Sequence, residues 1–172
     1  MNDRLMRPDM TLETKIEQAI SELHATQSQR SLSLGSIALL AQLAHDAAQA
    51  MSLPIVFSLV DAQGHQRYFF SMDNALLISY SLAYQKAYTA VALKRPTQEL
   101  ATLIQPGGDL YGLQQHPNFC AIGGGLPCWH HDRLLGGIGI SGGTVEEDMA
   151  IAHHVFHAFS QQRFPVMSTY PK

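Results

Sequence analysis

Residues 55–71 constrain the fold of this chain more than any other stretch. Ile55-Val56-Phe57-Ser58-Leu59-Val60 is rich in β-branched residues and reads as a strand. Asp61-Ala62-Gln63-Gly64 follows as a turn, with glycine where a positive φ is needed, and His65 to Ser71 returns as the partner strand. A turn this tight joins antiparallel neighbours, because parallel strands need a long crossover between them. The sheet is therefore expected to be antiparallel rather than doubly wound, with helices over its faces, which is an α+β class.

The flanking sequence supplies those helices. Leu34 to Met51 places Ile37, Leu40, Ala41, Ala44, Ala48 and Met51 on one face, and Ser52-Leu53-Pro54 ends it. A long helix is expected from about Ala75 to Lys94, closed by Arg95-Pro96, after which Thr97 caps a short helix. Strands are expected at Phe119 to Ile122, Leu126 to Trp129 and Leu134 to Ile140, with a turn at His130-His131-Asp132. A last helix starts after Thr144, which forms a capping box with Glu147. Upstream, Leu12, Ile16, Ala19, Ile20 and Leu23 repeat at three and four, so one helical face is apolar. Gln27-Ser28-Gln29-Arg30-Ser31 reads as a connector, dividing residues 1–30, an N-terminal helical extension, from a domain over 31–172.

Charge excludes several partners. Eleven Lys and Arg against fourteen Asp and Glu give a net charge of −3, and no basic run is available to follow a phosphate backbone, so no nucleic acid is expected. No apolar stretch approaches the length that spans a bilayer, and Met1-Asn2-Asp3-Arg4 lacks the order of a signal peptide. A cytoplasmic location is expected, which suits two reduced cysteines, Cys120 and Cys128. The low charged fraction of 15% leaves weakly polar surface and favours a homo-oligomer.

Four motifs suggest chemistry. Gly137-Ile138-Gly139-Ile140-Ser141-Gly142 spells GxGxxG between a strand and a helix. Glu146, Glu147 and Asp148 then occupy the first helical turn, where they would repel a pyrophosphate, and no second parallel strand follows. Gly139-Ile140-Ser141-Gly142-Gly143 matches the nucleophile elbow GxSxG, but Asp148 and the downstream His153, His154 and His157 share one helix, whose geometry makes it hard for Asp148 to orient a histidine that also reaches Ser141. A glycine-rich strand end turning into a helix accounts for both patterns. His153 and His157 are four apart, the spacing of a metal chelate, yet no cysteine or carboxylate with ligand spacing joins them. His45 stands beside the apolar face of its helix, where periodicity does not separate a structural histidine from a ligand.

A family resemblance rests on more of the chain. Leu53 to His65 followed by Ser71-Met72-Asp73-Asn74-Ala75 resembles the strand–DxxG turn–strand–MD signature of GlcG/HbpS-like proteins, the fold also found at the C-terminus of PduO proteins. Gln85-Lys86-Ala87-Tyr88-Thr89-Ala90 with Lys94-Arg95-Pro96-Thr97 is similar to the family's central helix. Gln105 to Gly112 resembles its glycine loop, and Gly123-Gly124-Gly125-Leu126-Pro127 with Gly136 to Thr144 completes the set. The resemblance implies a profilin-like, three-layer α/β/α fold with a five-stranded antiparallel sheet, assembled as a homo-oligomer. It also implies haem or tetrapyrrole binding, or an accessory role in diol, glycerol or glycolate metabolism. A first-helix histidine ligates haem iron in some relatives, and His45 is the matching residue.

The residues offer such a pocket. Gly107, Gly108 and Gly112 form a loop that allows close approach to a flat ligand, and Tyr111, Phe119 and Trp129 are available to stack. Lys86 and Arg95 are candidates to meet propionates, and His116 and His131 are alternative iron ligands. No CxxCH is present for covalent attachment. The expected function is a small-ligand-binding accessory protein. The alternative is an enzyme on a hydroxy acid, aldehyde or diol, with Lys86, His116 and Thr89 as acid, base and positioning groups, although nothing fixes their geometry.

Overall fold

The computed structural model describes residues 11–28, 32–162 and 167–170. The chain divides into two compact units, Met1–Arg30 and Ser31–Lys172. In the first, α1 (Leu12–Ser28) exposes Leu12, Ile16 and Ile20 along one face. Gln27 and Ser28 continue α1 rather than open the connector, whose other residues, 29–31, lie outside the described residues. So does the leader reading at Met1–Arg4.

The second unit is α+β. Its elements run α2 (Leu34–Ala50), β1 (Val56–Asp61), β2 (Gln66–Ser71), α3 (Ser79–Leu93), β3 (Gly125–His130), β4 (Arg133–Ser141) and α4 (Val145–Gln162). The four strands lie antiparallel in the order β2-β1-β4-β3, and the two residues Met167–Ser168, β5, pair with the end of β3. The β1–β2 turn forms as its sequence requires. Gly64 adopts φ +85°, and the Asp61 carboxylate accepts from Gln63 N at 3.0 Å and His65 N at 2.9 Å. The capping box also forms, with Thr144 N donating to Glu147 Oε2 at 2.8 Å and Glu147 N to Thr144 Oγ1 at 3.2 Å.

Strand alternation sorts the core onto two faces. Phe57, Leu59, Ile138 and Ile140 join α2 and α4 residues such as Leu40, Ala44, Val155 and Phe159 in the main core. Each of the Val, Leu, Ile and Phe side chains among them, fully buried, contributes about 1.5–3 kcal/mol. The opposite face packs α3. There β4 presents Gly137 and Gly139, and β3 presents Gly125, so α3 comes down almost to backbone contact. A Cβ at Gly139 would lie 2.0 Å from the Ala83 carbonyl, and one at Gly125 would lie 2.4 Å from the Lys86 carbonyl. Helix α3 answers with its own small residues, Ala83, Ala87 and Ala90, all buried. The first two glycines of the GxGxxG spelling are thus a helix-packing surface, alternating with Ile138 and Ile140 on the other face.

Three elements differ from the sequence reading. The expected strand at Phe119–Ile122 is irregular, because its backbone bonds go to a helix side chain instead of a strand. Cys120 N donates to Thr89 Oγ1 at 2.9 Å, and Thr89 Oγ1 donates to the carbonyl of Asn118 at 3.2 Å. Helix α3 begins at Ser79 and not Ala75, since Asn74 takes φ +66° and residues 72–79 run through short turns. Thr97 begins a 3-10 helix, Thr97–Leu100, without capping it. Its hydroxyl donates to the Ile122 carbonyl at 2.7 Å and accepts from Gly125 N at 3.0 Å, tying that helix to β3.

Both thiols are sealed in. Cys128 is fully buried and Cys120 is 5% exposed, and burial pushes each thiol above its ordinary range. Neither should react with iodoacetamide at pH 8 in the native state, while both should react in denaturant. The folded chain holds the Cys128 proton where an unfolded one releases it, so this contribution to stability is complete below the ordinary thiol range and declines as pH rises above it. Thermal melts between pH 8 and pH 10 should show that decline, and Cys128→Val should flatten it; rapid native alkylation would contradict the packing.

Candidate functional site

A concavity of about 660 Å³ in the second unit lies between α2 and the edge strand β2. Its apolar walls are Ala38 and Ala41 from α2 and Tyr68, Phe70 and Met72 from β2 and its end. Gln42, Gln49, Ser71 and Asp73 supply the polar groups. Two features of the chain build it. Helix α2 packs its Ile37, Leu40 and Ala44 face into the core, which leaves the flank carrying Ala38, Gln42 and His45 over β2. In β2, alternation brings Tyr68 and Phe70 to the same side as their β1 partners Leu59 and Phe57. Phe70 stacks on Phe57 with centroids 5.4 Å apart, and this fixes the groove floor against the core.

His45 projects into this groove. Its side chain is 39% exposed, and its ring meets the edge of Phe70 at 6.1 Å. Nδ1 lies 3.4 Å from the Asp46 carboxylate, which leaves Nε2 as the nitrogen with no protein partner among the described residues. A histidine whose one nitrogen is engaged by a carboxylate and whose other is open has the form of a metal ligand.

The other candidates lie elsewhere. Lys86 is 1% exposed and points from α3 to the end of the sheet, where Nζ donates to Asp148 Oδ2 at 2.6 Å and to the Ile140 carbonyl at 2.9 Å. Thr89 serves the backbone at 118 and 120 and lines a different pocket, of about 150 Å³, with His116, Tyr88, Leu113 and Phe119. His116 is exposed, stacks on Tyr88 at 6.3 Å and accepts from Asn118 N at Nδ1. Gly107, Gly108 and Gly112 lie in neither pocket: Gly108 is wedged against the Leu103 carbonyl, Gly112 is open, and Tyr111 beside it is 52% exposed. The structure therefore does not bring Lys86, Thr89 and His116 together as acid, positioning group and base. Nor does it place Lys86 or Arg95 in the His45 groove, which no lysine or arginine lines among the described residues. His153 and His157 are exposed, and no group of three metal-ligating side chains occurs among the described residues.

Sequence reasoning did not pair Lys86 with Asp148. Asp148 was legible as a first-turn acid of α4, and it does serve that end: its Oδ1 accepts from Gly142 N and Gly143 N, each at 3.0 Å. Burial pushes its carboxyl above the ordinary range, opposed by Lys86 and by those two backbone donors. Ser141 Oγ donates to Ser79 Oγ at 3.1 Å, which engages the serine of the GxSxG pattern in a buried contact with α3.

Comparison with known proteins agrees with this architecture. The family model described as haem-degrading protein HbpS-like matches residues 32–156. The chain is 47% identical over 115 residues to the corrinoid adenosyltransferase PduO of Citrobacter freundii, an alignment covering 66% of this chain and 34% of that protein, so the chain spans about a third of that relative. It is 35% identical over 141 residues to an uncharacterised 15.0 kDa protein encoded between dhaT and dhaS in Citrobacter freundii, covering 81% of this chain and 99% of that one. Among solved structures, a PduOC–haem complex superposes with a TM-score of 0.76 at 41% identity, over 81% of this chain and 99% of the other.

Proposed function

The chain belongs to the HbpS-like family, and from that premise we propose that it binds haem in the α2–β2 groove, with His45 ligating the iron through Nε2. The observation that carries this reading is the pairing of an open histidine nitrogen with apolar walls in one groove. At about 660 Å³ the space lies within the range of roughly 300–1,000 Å³ usual for cofactor sites. Tyr68, Phe70, Met72 and the two alanines of α2 suit the apolar face of a macrocycle. The side-chain amides of Gln42 and Gln49 offer neutral donors to propionates in place of a cation. The haem bound by the similar PduOC domain supports the same cofactor here. When bound, haem would supply the iron. The chain's own part is to present Nε2, orient the ring through Asp46 and exclude water from one face.

The finer architecture follows the same reading: a profilin-like, three-layer arrangement with β5 as the fifth strand, residues 1–30 as an extension to the domain, and a cytoplasmic homo-oligomer. A role beside diol, glycerol or glycolate metabolism is supported by the likeness to PduO and to the dhaT–dhaS protein. No helix of the described residues is long and apolar enough to cross a membrane.

Haemin titration of wild type and His45→Ala tests the site. His45 is part-exposed on a helix, where alanine is the best helix former, so the variant should stay folded. Wild type should show a saturable Soret shift at one haem per subunit, and the variant should show a changed spectrum with affinity weaker by about tenfold or more. Identical spectra and affinities in both would remove His45 from the iron.

A further inference from the structure

The haem reading makes no use of the buried Lys86–Asp148 pair or of the cavity beside it. That cavity, about 230 Å³, opens where the start of α3, the end of β4 and the start of α4 meet. Leu76, Ile78, Leu82, Ile122 and Val145 form its walls. Its floor is polar and almost wholly shielded from solvent: Lys86 and Ser79 are each 1% exposed, Asp148 is 2% and Ser141 is 3%.

The hydrogen bonds of that floor do not close. An ammonium group has three donors, and Lys86 Nζ spends two, on Asp148 Oδ2 and the Ile140 carbonyl. Ser79 Oγ accepts from Ser141 Oγ, and its own proton has no acceptor among the described residues. Two buried donors therefore face one apolar-walled cavity, an arrangement that costs stability unless an oxygen acceptor fills it. The charge has already been answered. Asp148 sits 2.6 Å from Nζ, so an incoming carboxylate would meet a neutralised cation and a neighbouring anion.

We infer that this cavity is a second binding site, for a short neutral oxygen compound such as a small ketone, aldehyde or alcohol. Its oxygen accepts from Lys86 Nζ and Ser79 Oγ, and its alkyl part lies against Ile78, Leu82 and Val145. The competing occupant is water, which satisfies the donors but leaves the apolar walls wet.

Butan-2-one and butanoate, titrated separately into uniformly ¹⁵N-labelled protein, distinguish the two. The ketone should shift the amides of Ser79, Lys86 and Ser141–Gly143 saturably, in the low-millimolar range, and butanoate should bind about tenfold or more weakly. Val145→Phe, a change at the 39%-exposed rim, should weaken the ketone about tenfold without unfolding the protein. Ser79→Ala should do the same by removing a donor. Absence of a saturable ketone response in the wild type means that the cavity holds water only and overturns the inference. Equal or tighter binding of butanoate overturns the neutral class.

Discussion

Gly139→Ala should cost the second unit about 3 kcal/mol or more of its stability. The added Cβ would lie 2.0 Å from the Ala83 carbonyl and 2.6 Å from the Ala87 nitrogen, and both are helix backbone that cannot rotate aside as a side chain would. Helix α3 has to lift off β4, which breaks its contacts with β1, β3 and β4 together. Overpacking a core by a single methylene costs about 1–3 kcal/mol where side chains can adjust. Here none can, so the cost should reach or exceed the upper end of that range, against a total stability of roughly 5–15 kcal/mol for a domain. A thermal melt should fall by about 10 °C. Gly112→Ala is the matched control, since nothing lies within 4 Å of its Cβ position. A Gly139→Ala melt as high as that control would mean α3 does not rest on the sheet as described.

The second large effect is expected at Lys86. Lys86→Met keeps the volume but strands Asp148 as a buried, uncompensated carboxylate, and breaking a buried pair in this way costs about 3–5 kcal/mol. The pH dependence has a definite sign. Without Lys86, burial raises the Asp148 carboxyl unopposed by that charge, so the folded variant favours the protonated acid. Its stability is greatest at acid pH and is lost as pH rises through the raised value, so the defect should be smaller at pH 5 than at pH 8. Lys86→Met combined with Asp148→Asn should recover most of the loss, because the amide oxygen still accepts from Gly142 N and Gly143 N while the charge is gone. Denaturant titrations of the four proteins measure this as a double-mutant cycle. Additive losses would show that the two side chains do not interact.

Both effects sit at places where short-range sequence signals are silent. The hairpin at 56–71, the helix from Leu34 and the Thr144–Glu147 box are local: each is set by residues within a few positions of one another, and the structure repeats them nearly to the residue. The His45 groove was half legible. Periodicity put His45 beside the buried face of α2, but the walls it shares with Tyr68 and Phe70 depend on which edge of the sheet β2 occupies. Lys86, Thr89 and His116 offer acid, positioning and base groups by residue type alone, with no local signal to fix their geometry. The register of α3 on the glycines of β4 sends Lys86 to Asp148, 62 residues away, and Thr89 to the chain at 118–120.

The sequence by itself determined the antiparallel hairpin, the end of α2 before Pro54 and the Thr144 start of α4, because turn chemistry, capping and alternation act over a few residues; the family followed from the resemblance of its motifs. Only the tertiary structure decided what the glycines are for, which acid answers the buried lysine and which histidine faces an open groove. Those outcomes follow from close packing between segments far apart in the chain, where a single Cβ or one unpaired charge outweighs any local preference.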